Sequence, residues 1–188
     1  MKNLTNGQEV DFKRDNPDLK RFLIDLDWIP SWFIFGSDID IDVSAICMDN
    51  QGRYEGIVGC FNTKHSSAAI KHYGDSTKYE HDREKIEINL EKMPEKIDKI
   101  SIAINVHKKS KAKLETFIKI KSFNVRICDL DSGKDLIQYA PKGNFKSCNG
   151  IFVANIYRYE QGWKFQAVGQ GVKVKNVRQM ADIKCRRN

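Results

Sequence analysis

The sequence lacks most of the patterns that identify membrane, disulfide-rich or nucleotide-binding proteins. No apolar run approaches the roughly 20 residues that span a bilayer, and the first seven residues lack the apolar core of a signal peptide, so we expect a cytoplasmic protein. The five cysteines form no CxxC pair, which argues against a zinc site or a disulfide framework. The sequence also has no Walker motif, no complete dinucleotide-binding glycine motif and no Gly-x-Ser-x-Gly elbow, so it carries no usual signature of catalysis.

The net charge of +7 is distributed unevenly. Residues 173–188 contain six basic residues and one acid, so this segment alone carries +5. A second basic group, residues 108–113, contains four lysines. Such segments can attract nucleic acid, an anionic membrane surface or an acidic protein, and a solvated terminus is an equal alternative.

The composition is that of a folded protein of one domain, with 188 residues of which 40% are hydrophobic. About ten short runs, separated by turn signals every 8–12 residues or so, predict strands. Residues 85–90 and 99–106 alternate most clearly between apolar and polar side chains. We therefore predict a mainly β protein, an antiparallel two-sheet β-sandwich with a few short helices. The helical candidates are residues 63–71, 109–115 and 174–185.

The most informative stretch alternates aspartate with aliphatic residues. In a strand, Asp38, Asp40 and Asp42 share one face, because side chains alternate with period two. Three carboxylates along one face repel one another unless a cation or a basic partner neutralises them. Because Ca²⁺ takes about 6–8 oxygen ligands, this strand is a candidate cation site. A solvated acidic face is the alternative.

A polar loop of residues 61–84 carries a second group of oxygen-bearing side chains, and long loops in compact domains are usually functional. The candidates are Asn62, Asp75, Asp82 and Glu84. Gly74 allows a sharp turn before Asp75, and Asp82 and Glu84 share a face at i and i+2. If this loop folds over the aspartate strand, the two groups supply enough ligands for one calcium ion or two. Ordinary solvated acids are the alternative.

These segments, in this order along nearly the whole chain, resemble the TerD family of tellurium-resistance and stress-response proteins. Residues 38–44, Asp-Ile-Asp-Ile-Asp-Val-Ser, resemble the family's Asp-Phe-Asp-Leu-Asp-Ala-Ser signature. Residues 72–76, His-Tyr-Gly-Asp-Ser, resemble its His-Thr-Gly-Asp-Asn, and residues 162–171 resemble its C-terminal hairpin. We therefore assign residues 1–171 to a TerD-like calcium-binding domain and residues 172–188 to a basic C-terminal tail.

The resemblance implies a β-sandwich that binds calcium through the acidic segments. Carried onto this chain, the implied ligands are Asp38, Asp40, Asp42, Asn62, Asp75, Asp82 and Glu84. The chain departs from the family pattern at Arg83, where an acid is usual, and at Phe61, which replaces an asparagine. Because calcium affinity follows ligand charge, we expect one site, or one strong and one weak site, rather than two strong ones.

The leading prediction is a non-enzymatic calcium-binding module that acts through metal-dependent binding of protein partners, with membrane-associated stress-response components among those that the resemblance implies. One alternative is a metal-dependent hydrolase that uses the same acids with Mg²⁺. Another is an adaptor that binds nucleic acid or a membrane surface through the basic segments.

Two further features carry predictions. His72 and His81 flank the acidic loop, and we expect them to be solvated rather than ligands of a softer metal. The apolar segment of residues 28–36 either folds back onto the core or forms an exposed patch for a partner.

Overall fold

In the computed structural model, the described part of the chain comprises residues 1–31, 39–74, 83–106 and 116–185. These residues form twelve strands, two α-helices and a 3-10 turn at Phe117–Lys119. The strands are β1 (Lys2–Leu4), β2 (Glu9–Asp11), β3 (Arg21–Pro30), β4 (Ile41–Met48), β5 (Tyr54–Val58), β6 (Ile70–His72), β7 (Arg83–Asn89), β8 (Lys99–Val106), β9 (Ile120–Asp129), β10 (Asp135–Tyr139), β11 (Gly150–Tyr159) and β12 (Gly162–Val172). The helices are α1 (Phe12–Asp15) and α2 (Val177–Lys184).

The strands make two six-stranded sheets that pack face to face. Sheet 1 has the order β1-β10-β9-β3-β7-β6, and sheet 2 has the order β2-β12-β11-β8-β4-β5. Within the described residues, the strands of both sheets pair antiparallel, except that β1 pairs parallel to β10. The predicted two-sheet β-sandwich is therefore confirmed.

Sequence alternation decides which side chains form the core between the sheets. In β7 the buried positions alternate with half-exposed ones, so Ile86 and Ile88 face inward. The opposing residues of sheet 2 include Ile100, Ile102 and Ile104 of β8 and Ile41, Val43 and Ala45 of β4. Burial of each isoleucine or valine side chain in this layer contributes about 1.5–3 kcal/mol, so the layer makes a large contribution to the stability of the fold.

The outer face of sheet 2 is covered by the C-terminal segment. A second hydrophobic cluster joins α2 and the residues before it to the sheet through Ile46, Ile57, Ala103, Phe152, Val174, Met180 and Ala181. Gly150 permits the close approach, because a Cβ there would lie 3.0 Å from side-chain atoms of Met180, Val172 and Val174. In the described residues, no helix combines the length and the apolar character that crossing a membrane requires.

Polar contacts also hold the C-terminal segment in place. The Asn149 side chain donates from Nδ2 to the Val174 carbonyl at 2.6 Å and accepts from the Val174 N–H at 2.8 Å. The Lys184 ammonium lies 4.3 Å from the centre of the Phe152 ring, and burial lowers the pKa of Lys184. Part of the basic tail therefore lies against the domain.

Several strand ends meet at one end of the sandwich, which we call the upper end. It is marked by the last residues of β3, β6 and β8 and by the first residues of β4 and β7, namely Pro30, His72, Val106, Ile41 and Arg83. The Phe117 N–H donates to the Cys148 carbonyl here, which ties the entry to β9 in sheet 1 to the entry to β11 in sheet 2. Residues 32–38, 75–82 and 107–115 follow from these ends in the sequence and lie outside the described part.

The helix predicted for residues 63–71 is wrong, because this stretch forms turns and the start of β6. Side chains in it bond to the local backbone: His65 Nδ1 accepts from the Ser67 N–H, and Ser67 Oγ accepts from the Ala69 N–H, each at 3.2 Å. Such bonds compete with helix formation, and Ala68 has a positive φ of 57°. The predicted helix at residues 109–115 lies outside the described part, and α2 confirms a helix within residues 174–185.

The structure also describes the five cysteines and part of the apolar segment of residues 28–36. The five cysteines, all within the described residues, form no disulfide, and burial raises the pKa of the Cys47 thiol to about 12, as expected of an unreactive core cysteine. Trp28 is buried in the core, whereas Ile29 is half exposed. Most of the apolar segment, residues 32–36, lies outside the described part.

Candidate metal site

The structure describes four of the seven predicted calcium ligands. Asp40 directly precedes β4, Asp42 is its second residue, Glu84 is the second residue of β7, and Asn62 lies in the turn after β5. Asp38, Asp75 and Asp82 lie outside the described residues. Both sheets therefore carry acidic residues at the upper end of the sandwich.

Asp42 lies on the outer face of sheet 2. Its neighbours Ile41 and Val43 pack into the core between the sheets, so Asp42 faces the opposite way, as the alternation predicts. Its register partner on β8 is Asn105, and Asp42 is only 8% exposed. Asp40 is half-buried. The carboxylate of Asp42 is thus held in a largely desolvated position.

A cavity of about 260 Å³ adjoins Asp42. Its other walls include Ser44 and Asn105 on sheet 2, the turn at residues 60–61, and residues 175–177 at the entry to α2. Ser44 Oγ and Asn105 Oδ1 are buried and have no hydrogen-bond partner among the described residues. Neither residue was predicted as a ligand, although Ser44 ends the aspartate stretch of residues 38–44 and Asn105 interrupts the apolar end of an otherwise regular strand.

Glu84 lies between the two sheets, on the face of β7 that also carries Ile86 and Ile88. Its side chain is 4% exposed, and its Oε2 lies 2.9 Å from Nε2 of the fully buried His72. This contact does not have the geometry of a hydrogen bond. The prediction that His72 is solvated is therefore wrong, and His81 lies outside the described residues.

The contacts of His72 also define its tautomer. The Gly74 N–H donates to Nδ1 at 2.9 Å, so Nδ1 is the acceptor and Nε2 is the ring nitrogen that carries a proton. His72 contacts Gly74, which directly precedes the stretch 75–82, and Glu84, the second residue after it.

The described structure does not bring the side chains of Asp42 and Glu84 together. Asp42 faces outward from sheet 2, whereas Glu84 faces inward from sheet 1. Asn62 is exposed, and its Nδ2 donates to the Ile57 carbonyl at 2.8 Å. Among the described ranges, no group of three His, Cys, Asp or Glu side chains is arranged to hold a metal ion. The predicted ligand set therefore stays a prediction.

Arg83 directs its charge away from the interior. Its Nε lies 3.0 Å from Asp25 Oδ1 on the outer face of sheet 1, and Arg126 Nη2 donates to Asp25 Oδ2 at 2.7 Å. The hydrogen bond to Asp25 raises the pKa of the Arg126 guanidinium. The cation that we expected to weaken divalent binding is thus engaged by a buried carboxylate that the sequence analysis did not select.

Comparison with known proteins finds relatives along most of the chain. The uncharacterised protein YceE of Bacillus subtilis (strain 168) is 30% identical over 173 residues, which cover 89% of this chain and 90% of that protein. General stress protein 16U of the same bacterium is 29% identical, with 89% of each chain covered. Tellurium resistance protein TerD of Serratia marcescens is 26% identical, also with 89% of each chain covered.

Solved structures share the fold. A homologue of telluride resistance protein (TerD) from Streptomyces coelicolor A3(2) superimposes with a TM-score of 0.66 at 20% identity, covering 87% of this chain and 95% of the other. A protein of unknown function superimposes with a TM-score of 0.70 at 15% identity, covering 90% and 99%. The profile of the TerD domain matches residues 1–182, from β1 into α2. The chain therefore belongs to the TerD domain family.

Proposed function

We propose that this chain is a calcium-binding module of the tellurium-resistance and stress-response type, which catalyses no reaction itself and acts by presenting a metal-dependent surface to protein partners. The physiological class follows from relatives named as a general stress protein and a tellurium resistance protein. The observation that carries the calcium proposal is the position of Asp42, a largely buried carboxylate beside buried oxygens that have no partner among the described residues.

The donor atoms on this side of sheet 2 suit a hard cation. Asp40 and Asp42 offer carboxylates, and the buried oxygens of the neighbouring cavity are hydroxyl and amide oxygens. Calcium prefers such ligands, whereas softer metals prefer thiolate or imidazole. In this proposal the further ligands are Asp38, Asn62, Asp75, Asp82 and Glu84. Because Glu84 contacts His72 on the inner face of sheet 1, its participation requires the side chain to leave that contact.

Bound calcium would supply positive charge where carboxylates cluster, which removes their mutual repulsion. The protein's own residues then determine the surface that results. Asp42 is fixed by β4, the second strand from one edge of sheet 2, where it pairs with Asn105 of β8, so an ion held there is attached to the sheet. The segments at the upper end are thereby biased toward one arrangement, which a partner can recognise.

Calcium titration of the chelator-treated protein tests this proposal. We expect saturable heat with CaCl₂ in isothermal titration calorimetry. At a calcium concentration of about 100 times the dissociation constant, we expect a stabilisation of about 2.7 kcal/mol, which corresponds to a rise in Tm of about 5–10 °C for a chain of this size. Asp42→Asn should weaken binding by removing a charged ligand.

The same experiment separates the alternatives. MgCl₂ in parallel should bind more weakly, because Mg²⁺ demands octahedral geometry and retains its waters; a preference for Mg²⁺ would favour the hydrolase. Absence of both heat and a Tm shift at millimolar calcium would contradict the proposal.

A further inference from the structure

The buried side-chain oxygen of Asn105 destabilises the fold unless a ligand or a water binds it. The residue is 6% exposed, and Oδ1 has no hydrogen-bond partner among the described residues. Its Nδ2 makes a long contact of 3.5 Å with the carbonyl of Val106. A buried polar atom without a partner destabilises the fold by about 1–3 kcal/mol. Such an atom beside a cavity points to a ligand or an ordered water.

Ser44 repeats this situation on the neighbouring strand. It is 1% exposed, and Oγ has no hydrogen-bond partner in the described ranges. Gly59 makes room for the hydroxyl, because a Cβ at that position would lie 2.6 Å from Ser44 Oγ. The structure thus keeps a buried hydroxyl where an apolar side chain would be less costly.

These two oxygens share the outer face of sheet 2 with Asp42. Asp42 and Asn105 are register partners, and Ser44 follows Asp42 at i+2 on β4, so all three face the cavity of about 260 Å³. One carboxylate, one amide oxygen and one hydroxyl form an oxygen-only donor set, which suits a hard cation. Lys175, on the opposite wall of the cavity, limits the positive charge that the site can accept.

We propose that Asn105 and Ser44 are neutral oxygen ligands of the cation held at Asp42, either directly or through one water. This inference rests on the proposed function and extends its ligand set to two uncharged residues, Ser44 at the end of the aspartate stretch and Asn105 outside both acidic segments. It assigns the outer face of sheet 2 as the place where the ion binds. Neutral amide and carbonyl oxygens commonly complete calcium sites whose carboxylates are too few.

Substitutions at Asn105 test the inference, with Asn155 as a matched control. Asn155 is 5% exposed, lies on β11 of the same sheet, and also has an Oδ1 without a partner in the described residues. It does not line the cavity. We expect Asn105→Leu to weaken CaCl₂ binding about tenfold or more, and the isosteric Asn105→Asp to strengthen it by adding ligand charge. Asn155→Leu and Asn155→Asp should bind calcium as the wild type does.

The measurements are calorimetric titration with CaCl₂ and the Tm of each variant in chelator and in calcium. Asn105→Leu should keep or raise the Tm in chelator, because it removes an unpartnered amide, and should lose the calcium-induced rise. If Asn105→Leu does not fold, the isosteric Asn105→Asp decides the question. If the Asn105 variants bind calcium as tightly as the Asn155 variants do, this inference alone is overturned, because Asn105 would then contact only water. A wild type that takes up no calcium would overturn the proposed function as well.

Discussion

Replacing His72 with leucine is expected to lower the free energy of unfolding by about 3–5 kcal/mol. The substitution places an apolar side chain of similar size in the core, but it removes the imidazole whose Nε2 lies 2.9 Å from the buried carboxylate of Glu84. It also removes the acceptor of the Gly74 N–H. A carboxylate between two sheets cannot regain water, so its desolvation is no longer offset by this contact. Urea unfolding followed by far-UV circular dichroism measures the loss.

A second substitution identifies the cause. Glu84→Leu introduced into His72→Leu should recover most of the stability, because two apolar side chains in a core replace a buried polar pair at little cost. The double-mutant cycle should give a coupling energy of about 1–3 kcal/mol. His65→Leu is the control, since His65 is half-buried and bonds only to its own turn; it should change stability by less than about 1 kcal/mol. Additive losses in the cycle would show that His72 acts by packing alone.

The β-sandwich could be predicted because its signal is local and repeated. In β7 and β8 the apolar residues recur with the period of a strand, and the structure buries these positions. The same local rule placed Asp42 on the face opposite Ile41 and Val43. Register is not local, however: nothing in the sequence pairs Asp42 with Asn105, which lies in a strand far along the chain. The amide of Asn105 was therefore missed, whereas Ser44, at i+2 from Asp42 on the same strand, lay within reach of the local rule.

The misinterpretation of Glu84 and His72 has a different cause. Both residues follow the alternation of their own strands, Glu84 with Ile86 and Ile88, and His72 with Ile70. That alternation already predicted burial, but the polar surroundings in sequence suggested a solvated loop. For a charged residue on the apolar face of a strand, burial beside a polar partner is therefore a better prediction than a solvent-exposed site.

The C-terminal segment shows how charge can conceal packing. Its lysines and arginines suggested a basic tail, whereas Val174, Met180 and Ala181 attach it to the outer face of sheet 2. The sequence signal for this attachment was Gly150, a small residue at the start of β11 that leaves room for the helix. The function of such a glycine is visible only when the distant segment is in place, since the residues it accommodates come from β12 and beyond.

Gly169→Ala is expected to destabilise the protein by about 3–5 kcal/mol, from backbone strain and lost hydrogen bonds together. Gly169 has a φ of 93°, and a Cβ would lie 2.5 Å from Asn6 Nδ2. Asn6 cannot move freely, because it accepts from the Tyr139 hydroxyl at 2.9 Å and donates to the Lys142 carbonyl at 2.8 Å. Burial raises the pKa of Tyr139, so its hydroxyl remains a donor and would lose its acceptor. Urea unfolding measures the change.

The chain offers a control that separates strain from the clash. Gly7 has a similar φ of 87°, but no atom lies within 4 Å of a Cβ built there, so Gly7→Ala should cost only the strain of about 1–2 kcal/mol. In an Asn6→Ala background, Gly169→Ala should fall to the same value, because the obstructing side chain is gone and its hydrogen bonds are already lost. If Gly169→Ala and Gly7→Ala cost the same in the wild-type background, the contact with Asn6 contributes nothing. A larger cost at Gly169 would instead show that this glycine is needed where β12 meets the side chain of Asn6.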